Sequence, residues 1–349
     1  MTITTIPTSS HEEVVRVEDK ATGLVGFIAI HSTTLGPAAG GLRMRPYASE
    51  DDALTDVKRL SEGMTYKNAA AGLPLGGGKA VIMGDPRTEK TPELLRAFGK
   101  AVEACQGRYW TAEDMGMTTG DMAELAKETR YVAGLADGEF ASGDPSPITA
   151  RGIFNSIRRA ALHQFDNPSL RGRTIAVQGL GNVGWNLCYR LAAAGAKLIV
   201  TDINPERVKM AVTSFGAEAV GLDEIYAAKA DIFAPCAIGG ILNADTIPQL
   251  RVEAVAGGAN NQLATPEDAK RLHDRGILYA PDFVANGGGI INVATEILEI
   301  SGRVDWVDDK LAALDATMDA ILSEAARRKV SPADVAQDVV GQTIRTKAA

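Results

Sequence analysis

Two lysines, one aspartate and two clusters of glycine are where this sequence could do chemistry. Lys79 ends the run Gly76-Gly77-Gly78-Lys79, and Lys67 lies upstream in Thr65-Tyr66-Lys67-Asn68. Three successive glycines would let a ligand approach the backbone and leave room around the amine. A lysine buried near a second lysine has two causes of a lowered pKa, which can bring an ordinary value of ~10.4 down to that of a base near neutrality. The other reading is two solvated lysines flanking a turn, and composition alone favours it. A P-loop is excluded, because it needs Gly six residues before its lysine and Ser or Thr directly after it; Leu73 and Ala80 stand there. Asp114, in Thr111-Ala112-Glu113-Asp114-Met115-Gly116, follows an expected strand end. It suits a carboxylate that exchanges protons or orients an ammonium, and equally one that caps a helix or turn.

The second glycine cluster is Gly179-Leu180-Gly181-Asn182-Val183-Gly184, placed between the run Thr174–Gln178 and an Ala/Leu-rich helical segment. In that setting Gly179 permits the tight turn, Gly181 lets backbone approach a pyrophosphate, and Gly184 packs the helix on the strand. The helix N-terminus offers unpaired N–H groups and the positive dipole end. Asp202 ends the next strand, 18 residues beyond Gly184, the distance of a ribose-binding acid. A dinucleotide site is expected, in preference to a glycine-rich turn without a ligand.

The elements that must position these residues fall into two groups. Val14–Glu18 and Leu24–His31 read as strands joined by a turn at Lys20-Ala21-Thr22-Gly23. Ser49 and Thr91-Pro92 open helices. Leu94, Phe98, Val102 and Cys105 share one helical face and read as core. Gly134 to Pro147, rich in Gly and Pro, reads as a hinge. Beyond it, strands at 174–178, 197–201, 231–234, 255–256 and 277–279 alternate with helices started at Asn204-Pro205-Glu206 and Thr265-Pro266-Glu267, which implies a doubly wound parallel sheet. The expected class is α/β with two domains. Residues 1–133 would form a mixed α/β substrate, catalytic and oligomerisation domain. Residues 134–147 are the hinge, 148–325 the dinucleotide-binding domain, and a helix over about 326–349 would pack back on the first domain.

A chain of 349 residues is long for one core. With 45% hydrophobic and 23% charged residues and a net charge of −8, it reads as globular and argues against nucleic acid as principal partner. No apolar run approaches the ~20 residues of a membrane span, and the first ten residues do not resemble a signal peptide; a cytoplasmic location is expected. Three scattered cysteines give no disulfide framework, and the four histidines share no ligand spacing, so no metal is expected.

The segments Gly36-Pro37-Ala38-Ala39-Gly40-Gly41-Leu42-Arg43, Lys67, Gly76–Lys79, Thr111–Asp114, Gln178–Gly184, Phe233-Ala234-Pro235-Cys236-Ala237, Gly258-Ala259-Asn260-Asn261 and Tyr279–Gly288 occur in an order that resembles the glutamate/leucine/phenylalanine/valine dehydrogenases, nearest their leucine and phenylalanine members. The resemblance covers nearly the whole chain. It implies NAD(P)-dependent, reversible oxidative deamination of an L-amino acid to a 2-oxo acid and ammonia, a Rossmann domain and a substrate domain closing over a cleft, and a homo-oligomer, dimer or octamer. By the same resemblance Lys67 binds the substrate carboxylate, Lys79 activates water, and Asp114 shuttles protons to and from nitrogen. Asn261 lies between substrate and nicotinamide, and Thr149 contacts the nicotinamide amide. Gly179, Gly181, Asn182, Val183, Gly184, Asp202, Cys236 and Ala237 hold the rest of the cofactor. Cys236 has no nucleophilic role, and Cys188 is core.

Ala39, Gly40, Gly41, Met64, Ala112, Ile290 and Val293 are the implied substrate-pocket positions. Ala39 stands where glutamate-specific relatives carry a lysine, so a neutral, hydrophobic side chain is expected. Ala112 and Ile290 narrow the pocket, as in leucine and valine enzymes, while Ala39 opens it. Branched-chain substrates, leucine first, are expected, with phenylalanine or another aromatic as the alternative. Asp202 favours NAD over NADP, although Arg207 lies nearby. A hydroxy-acid dehydrogenase would show a His or Tyr–Lys acid/base, and a non-catalytic NAD-binding sensor would be expected to have lost Lys79 or Asp114.

Overall fold

The computed structural model describes residues 1–348; Ala349, the end of the expected C-terminal helix, lies outside them. The chain forms two compact units. One comprises Met1–Pro145, Ile290–Lys310 and the residues from Gly341 on; the other comprises Ser146–Gly289 and Leu311–Val340.

The first unit opens with antiparallel strands β1 (Thr2–Thr5), β2 (Glu13–Asp19) and β3 (Leu24–Ser32). Gly23, at φ 75°, makes the expected turn. Then follow β4 (Ala38–Ala39), β5 (Leu42–Arg45), α1 (Glu50–Ala70), β6 (Gly76–Met83), α2 (Pro92–Ala104), β7 (Tyr109–Trp110) and α3 (Thr119–Leu125). The sheet runs β1-β2-β3-β6-β4-β7, with β5 also paired to β6. The Ser49 hydroxyl accepts the Asp52 N–H at the start of α1, and the Thr91 hydroxyl accepts the Leu94 N–H at the start of α2. The stripe Leu94, Phe98, Val102 and Cys105 is buried in the core beneath the sheet, where a side chain such as Phe98 contributes about 1.5–3 kcal/mol.

The glycine run starts β6, a central strand. A Cβ at Gly76 would lie 2.0 Å from the Ser32 carbonyl oxygen, at Gly77 2.0 Å from Thr65 Oγ1, and at Gly78 2.7 Å from the Tyr109 ring. The glycines are consumed by close approach of α1 and the neighbouring strands, and Lys79 is thereby fixed in the sheet at 6% exposure.

The second unit contains α4 (Ser146–Phe165), β8 (Thr174–Gln178), α5 (Asn182–Ala193), β9 (Lys197–Thr201), α6 (Pro205–Phe215), β10 (Glu218–Ala219), β11 (Ile232–Pro235), β12 (Ala254–Val255), α7 (Glu267–Asp274), β13 (Leu278–Tyr279) and α8 (Asp282–Ala285). All its strand pairs are parallel, in the order β10-β9-β8-β11-β12-β13. The order reverses between β8 and β11, and ligands of such sheets bind beyond the carboxyl ends of the strands at that point. Two local expectations change. Pro147 lies inside α4, at a first-turn position where no backbone N–H is needed. Thr265 does not cap α7; its own N–H and hydroxyl donate to Asp268 Oδ2.

The chain ends with α9 (Gly288–Ile297), α10 (Arg303–Arg328) and α11 (Pro332–Ala348). The compact units divide the chain differently from the boundaries expected above, since Ile290–Lys310 groups with the first unit. Polar contacts give the reason. The buried Glu296 carboxylate accepts the N–H groups of Gly134 and Ser142 and the Ser142 hydroxyl, and Arg303 donates to the Ala141 and Ser142 carbonyls. Among the described residues no helix is long and apolar enough to cross a membrane.

One half-buried contact in the second unit predicts a pH effect. Asp315 on α10 accepts a hydrogen bond from Asn155 on α4 (3.0 Å), next to Asp319, which contacts Arg159 and His163. Burial pushes the Asp315 carboxyl up to about 6, with Asp319 adding to burial and Arg159 opposing it. The folded state then holds a proton that the unfolded chain has lost between about pH 4 and 6, so this group's stabilisation falls as pH rises through that window. Asp315→Asn should therefore raise Tm at pH 7.5, by on the order of 2–4 °C, and leave it nearly unchanged at pH 4. Thermal unfolding at the two pH values checks this; an equal shift at both would refute it.

Candidate active site

The first unit gathers the charged residues. Lys79 Nζ lies 2.8 Å from Asp114 Oδ2, and Arg43 Nε donates to the same oxygen at 3.1 Å. The Arg43 Nη1 donates to Asp56 Oδ2 at 3.2 Å, and the Tyr47 hydroxyl donates to that oxygen at 2.8 Å. Strand register sets this up: Arg43 pairs with Val81, two residues from Lys79 and hence on the same face of the sheet. Asp114 is no helix cap. The segment carrying it runs beside β5, where the Leu42 and Met44 N–H groups donate to the Ala112 and Met115 carbonyls. The cap of α3 is instead the Thr118–Asp121 box. Burial alone would raise the Asp114 carboxyl, but Lys79 and then Arg43 outweigh it and hold it far below the usual carboxylate range. The expectation of an amine flanked by a second lysine leaves out this carboxylate, which is the charge Lys79 touches.

Lys67 occupies the last turn of α1, the helix packed on β6, with Met64 one turn before it. Gly40 and Gly41 thread a narrow space. A Cβ on Gly40 would lie 3.0 Å from Met64 Cγ, and one on Gly41 would lie 2.9 Å from Asp114 Cβ. Ala39 and Ala112 are buried beside them, and Ile290 and Val293 are buried on α9 within the same unit. The structure thus brings Met64, Gly40, Gly41 and the Lys79–Asp114 pair together.

The second unit holds the other expected residues. Gly179 has φ 94°, and a Cβ there would meet Ala237 Cβ at 2.8 Å; a Cβ on Gly184 would meet the Gly179 carbonyl oxygen at 1.9 Å. Gly181 has nothing within 4 Å of its Cβ position and makes no side-chain cap for α5, which begins at Asn182. A cavity of about 580 Å³ opens there, lined among others by Gly179, Gly181, Asp202, Arg207, Cys236 and Ala237. Its open glycine edge and uncapped helix start fit a dinucleotide pyrophosphate. Asp202 accepts the Leu180 and Asn204 N–H groups, while Arg207 Nη1 donates to the Leu180 carbonyl at 2.6 Å. The exposed Ile203 and Ile238 also line the cavity and offer apolar surface to a flat base. Sequence reading missed them, although an isoleucine directly after the expected ribose-binding acid Asp202 is a usable signal.

Val183 Cγ1 would be 3.3 Å from a Cβ on Gly258, and Thr149 Oγ1 2.8 Å from one on Gly289. Asn261 sits in the left-handed region at φ 52°, and its carbonyl accepts the Gly240 N–H, a conformation uncommon outside glycine. Burial pushes the Cys236 thiol up to about 11, which removes the thiolate needed for a nucleophile. Cys188 is buried core. Among the described residues no group of three or more His, Cys, Asp or Glu could hold a metal ion.

Comparison with known proteins finds relatives over nearly the whole chain. The model of the Glu/Leu/Phe/Val dehydrogenase dimerisation domain matches residues 9–131, and that of glutamate/leucine/phenylalanine/valine dehydrogenase matches 200–345. The chain is 54% identical to leucine dehydrogenase of Geobacillus stearothermophilus over 83% of this chain and 79% of that one. It is 45% identical to phenylalanine dehydrogenase of Caldalkalibacillus thermarum over 99% and 95%. The crystal structure of L-tryptophan dehydrogenase from Nostoc punctiforme superposes with a TM-score of 0.83 at 41% identity, covering 97% of each chain.

Proposed function

This chain belongs to the glutamate/leucine/phenylalanine/valine dehydrogenases and is an amino acid dehydrogenase that uses a nicotinamide cofactor, and we propose on that footing that it is NAD⁺-dependent and reversibly deaminates a neutral, hydrophobic L-amino acid, leucine first. The observation that carries the reading is the buried Lys79–Asp114 pair beside Gly40 and Gly41. It also opposes a non-catalytic sensor, which has no use for a desolvated acid–base pair.

When bound, the dinucleotide supplies a hydride acceptor for the substrate α-carbon. Lys67 holds the substrate carboxylate. Asp114 takes a proton from the amino nitrogen and returns one as ammonia leaves. Lys79 takes a proton from the water that attacks the imine carbon of the oxidised substrate, which gives the 2-oxo acid after C–N cleavage. In the second unit, Gly179, Gly181, Asn182, Val183 and Gly184 cradle the pyrophosphate, and Asp202 receives the ribose hydroxyls. Cys236 and Ala237 flank the cofactor, while Thr149 and Asn261 contact the nicotinamide. A second reading, an aromatic substrate, is favoured by Ala39, whose small side chain leaves room, and by the similarity to phenylalanine and tryptophan dehydrogenases. The dimerisation-domain match supports a homo-oligomer, and three free cysteines support a reducing, cytoplasmic setting.

Arg207 is engaged by the glycine-loop carbonyl while Asp202 would repel a 2′-phosphate. Catalytic efficiency with NAD⁺ should therefore exceed that with NADP⁺ by about 10²-fold or more. Reduced-cofactor absorbance with each dinucleotide and a panel of L-amino acids tests both cofactor and substrate class. Equal efficiency with NADP⁺ would sink the cofactor assignment, and no turnover with any hydrophobic amino acid would sink the function.

A further inference from the structure

Arg43 is the residue whose surroundings the proposed mechanism does not use. Its side chain is 10% exposed, its Nε reaches Asp114 Oδ2 at 3.1 Å, and its Nη1 reaches Asp56 Oδ2 at 3.2 Å. Lys79 Nζ contacts that same Asp114 oxygen at 2.8 Å. Two cations from adjacent paired strands therefore converge on one carboxylate oxygen. The geometry has a chemical consequence. A guanidinium does not give up its proton, so Arg43 cannot replace Lys79 as a base; what it can do is fix the rotation of the Asp114 carboxylate and keep a positive charge there when Lys79 becomes neutral.

Asp56 and Tyr47 complete the arrangement from behind. Asp56 on α1 takes the outer arm of the guanidinium fork, and the Tyr47 hydroxyl fixes that carboxylate at 2.8 Å. Held at both ends, Arg43 has a defined orientation, which a lysine with a single rotating ammonium would not have. Titratable groups around the Lys79–Asp114 pair include Arg43 from β5, Asp56 from α1 and Tyr47 behind it, and the buried Tyr109 phenol from β7.

We infer that Arg43, held by Asp56 and Tyr47, is a positioning residue that presents the Asp114 carboxylate for proton exchange and sets the protonation balance of the Lys79–Asp114 pair through catalysis. The inference rests on the deamination reading above. It assigns a task to the arginine of the Gly40-Gly41-Leu42-Arg43 segment, and through it to two residues outside that segment, Tyr47 and, on α1, Asp56. The low position of the Asp114 carboxyl, to which Arg43 contributes after Lys79, agrees with it.

The test is the pH dependence of kcat for oxidative deamination of leucine by the full-length enzyme and three variants. Loss of the Arg43 charge makes the pair hold its protons more tightly, so Arg43→Gln should move the acid limb to higher pH by about one unit. It should lower kcat about 10–100-fold with KM for leucine and NAD⁺ changed less than about threefold. Removing the Asp56 charge acts in the opposite sense, so Asp56→Asn should move the acid limb to lower pH. Arg43→Lys, which keeps the charge but loses the fork, should leave the limb near its wild-type position and lose part of kcat. A loss of packing alone would not move the two limbs in opposite directions. Acid limbs that stay in place in active Arg43→Gln and Asp56→Asn enzymes would overturn the inference. If Arg43→Gln does not fold, the Asp56→Asn shift and the Arg43→Lys limb decide it in the same way. A wild-type enzyme that turns over no hydrophobic amino acid overturns the functional reading itself and takes the inference with it, an outcome distinct from an active enzyme with immobile limbs.

Discussion

Lys79→Ala should lower kcat for oxidative deamination by roughly 10²–10⁴-fold, the range expected when a positioned general base is removed. The residue is 6% exposed and its ammonium is 2.8 Å from Asp114, so its removal takes the amine away from that carboxylate. NAD⁺ affinity should stay close to wild type, because the cavity proposed for the dinucleotide is lined wholly by residues from Gln178 to Ile238. Lys79→Arg keeps a positive charge beside Asp114 but supplies no base, so it should be nearly as impaired as the alanine variant. Lys67→Ala, by contrast, should raise KM for the amino acid more than it lowers kcat, since a carboxylate contact is made in ground and transition states alike. Steady-state kinetics with cofactor binding measured separately checks the set. A Lys79→Ala enzyme with near-normal turnover would refute the role of the lysine.

Glutamate should be a poorer substrate than leucine by at least ~10³-fold in kcat/KM. The expected pocket positions Ala39, Met64, Ala112, Ile290 and Val293 carry no charge, and four of the five are buried at under 9% exposure. A γ-carboxylate placed among them would lose its hydration with no partner, which costs about 3–5 kcal/mol when a buried charge is left uncompensated. A methylene more or less changes discrimination by only ~1–3 kcal/mol, so leucine, valine and phenylalanine should lie much closer to one another than any does to glutamate. Measured kcat/KM values for the four substrates decide the matter. A preference for glutamate would overturn the substrate class, whereas a preference for phenylalanine would reorder the hydrophobic substrates within it.

Much of the fold is written locally. Ser49 and Thr91 cap their helices, the face of Leu94, Phe98 and Val102 is buried, and Gly179 to Gly184 joins β8 to α5, because caps, helical periodicity and glycine turns are decided by residues a few positions apart. The residues nominated for the chemistry, Lys79 and Asp114, are read from local sequence in the same way, as are the glycine motif and the acid Asp202 that follows it. What the local pattern could not give was which groups meet. Asp114 could have been a cap or a catalytic acid until β5, β6 and β7 brought it against Lys79 and Arg43. Nothing local marks the glycines before Lys79 as the start of a buried strand pressed by Thr65 and Tyr109. The return of Ile290–Lys310 to the first unit depends on Glu296 reaching Gly134 and Ser142, a contact more than 150 residues apart. Sequence determined the chemistry available and the elements that carry it. Tertiary structure decided the partners, because the charge state and orientation of a buried side chain depend on the groups within a few ångströms of it, and those come from distant parts of the chain.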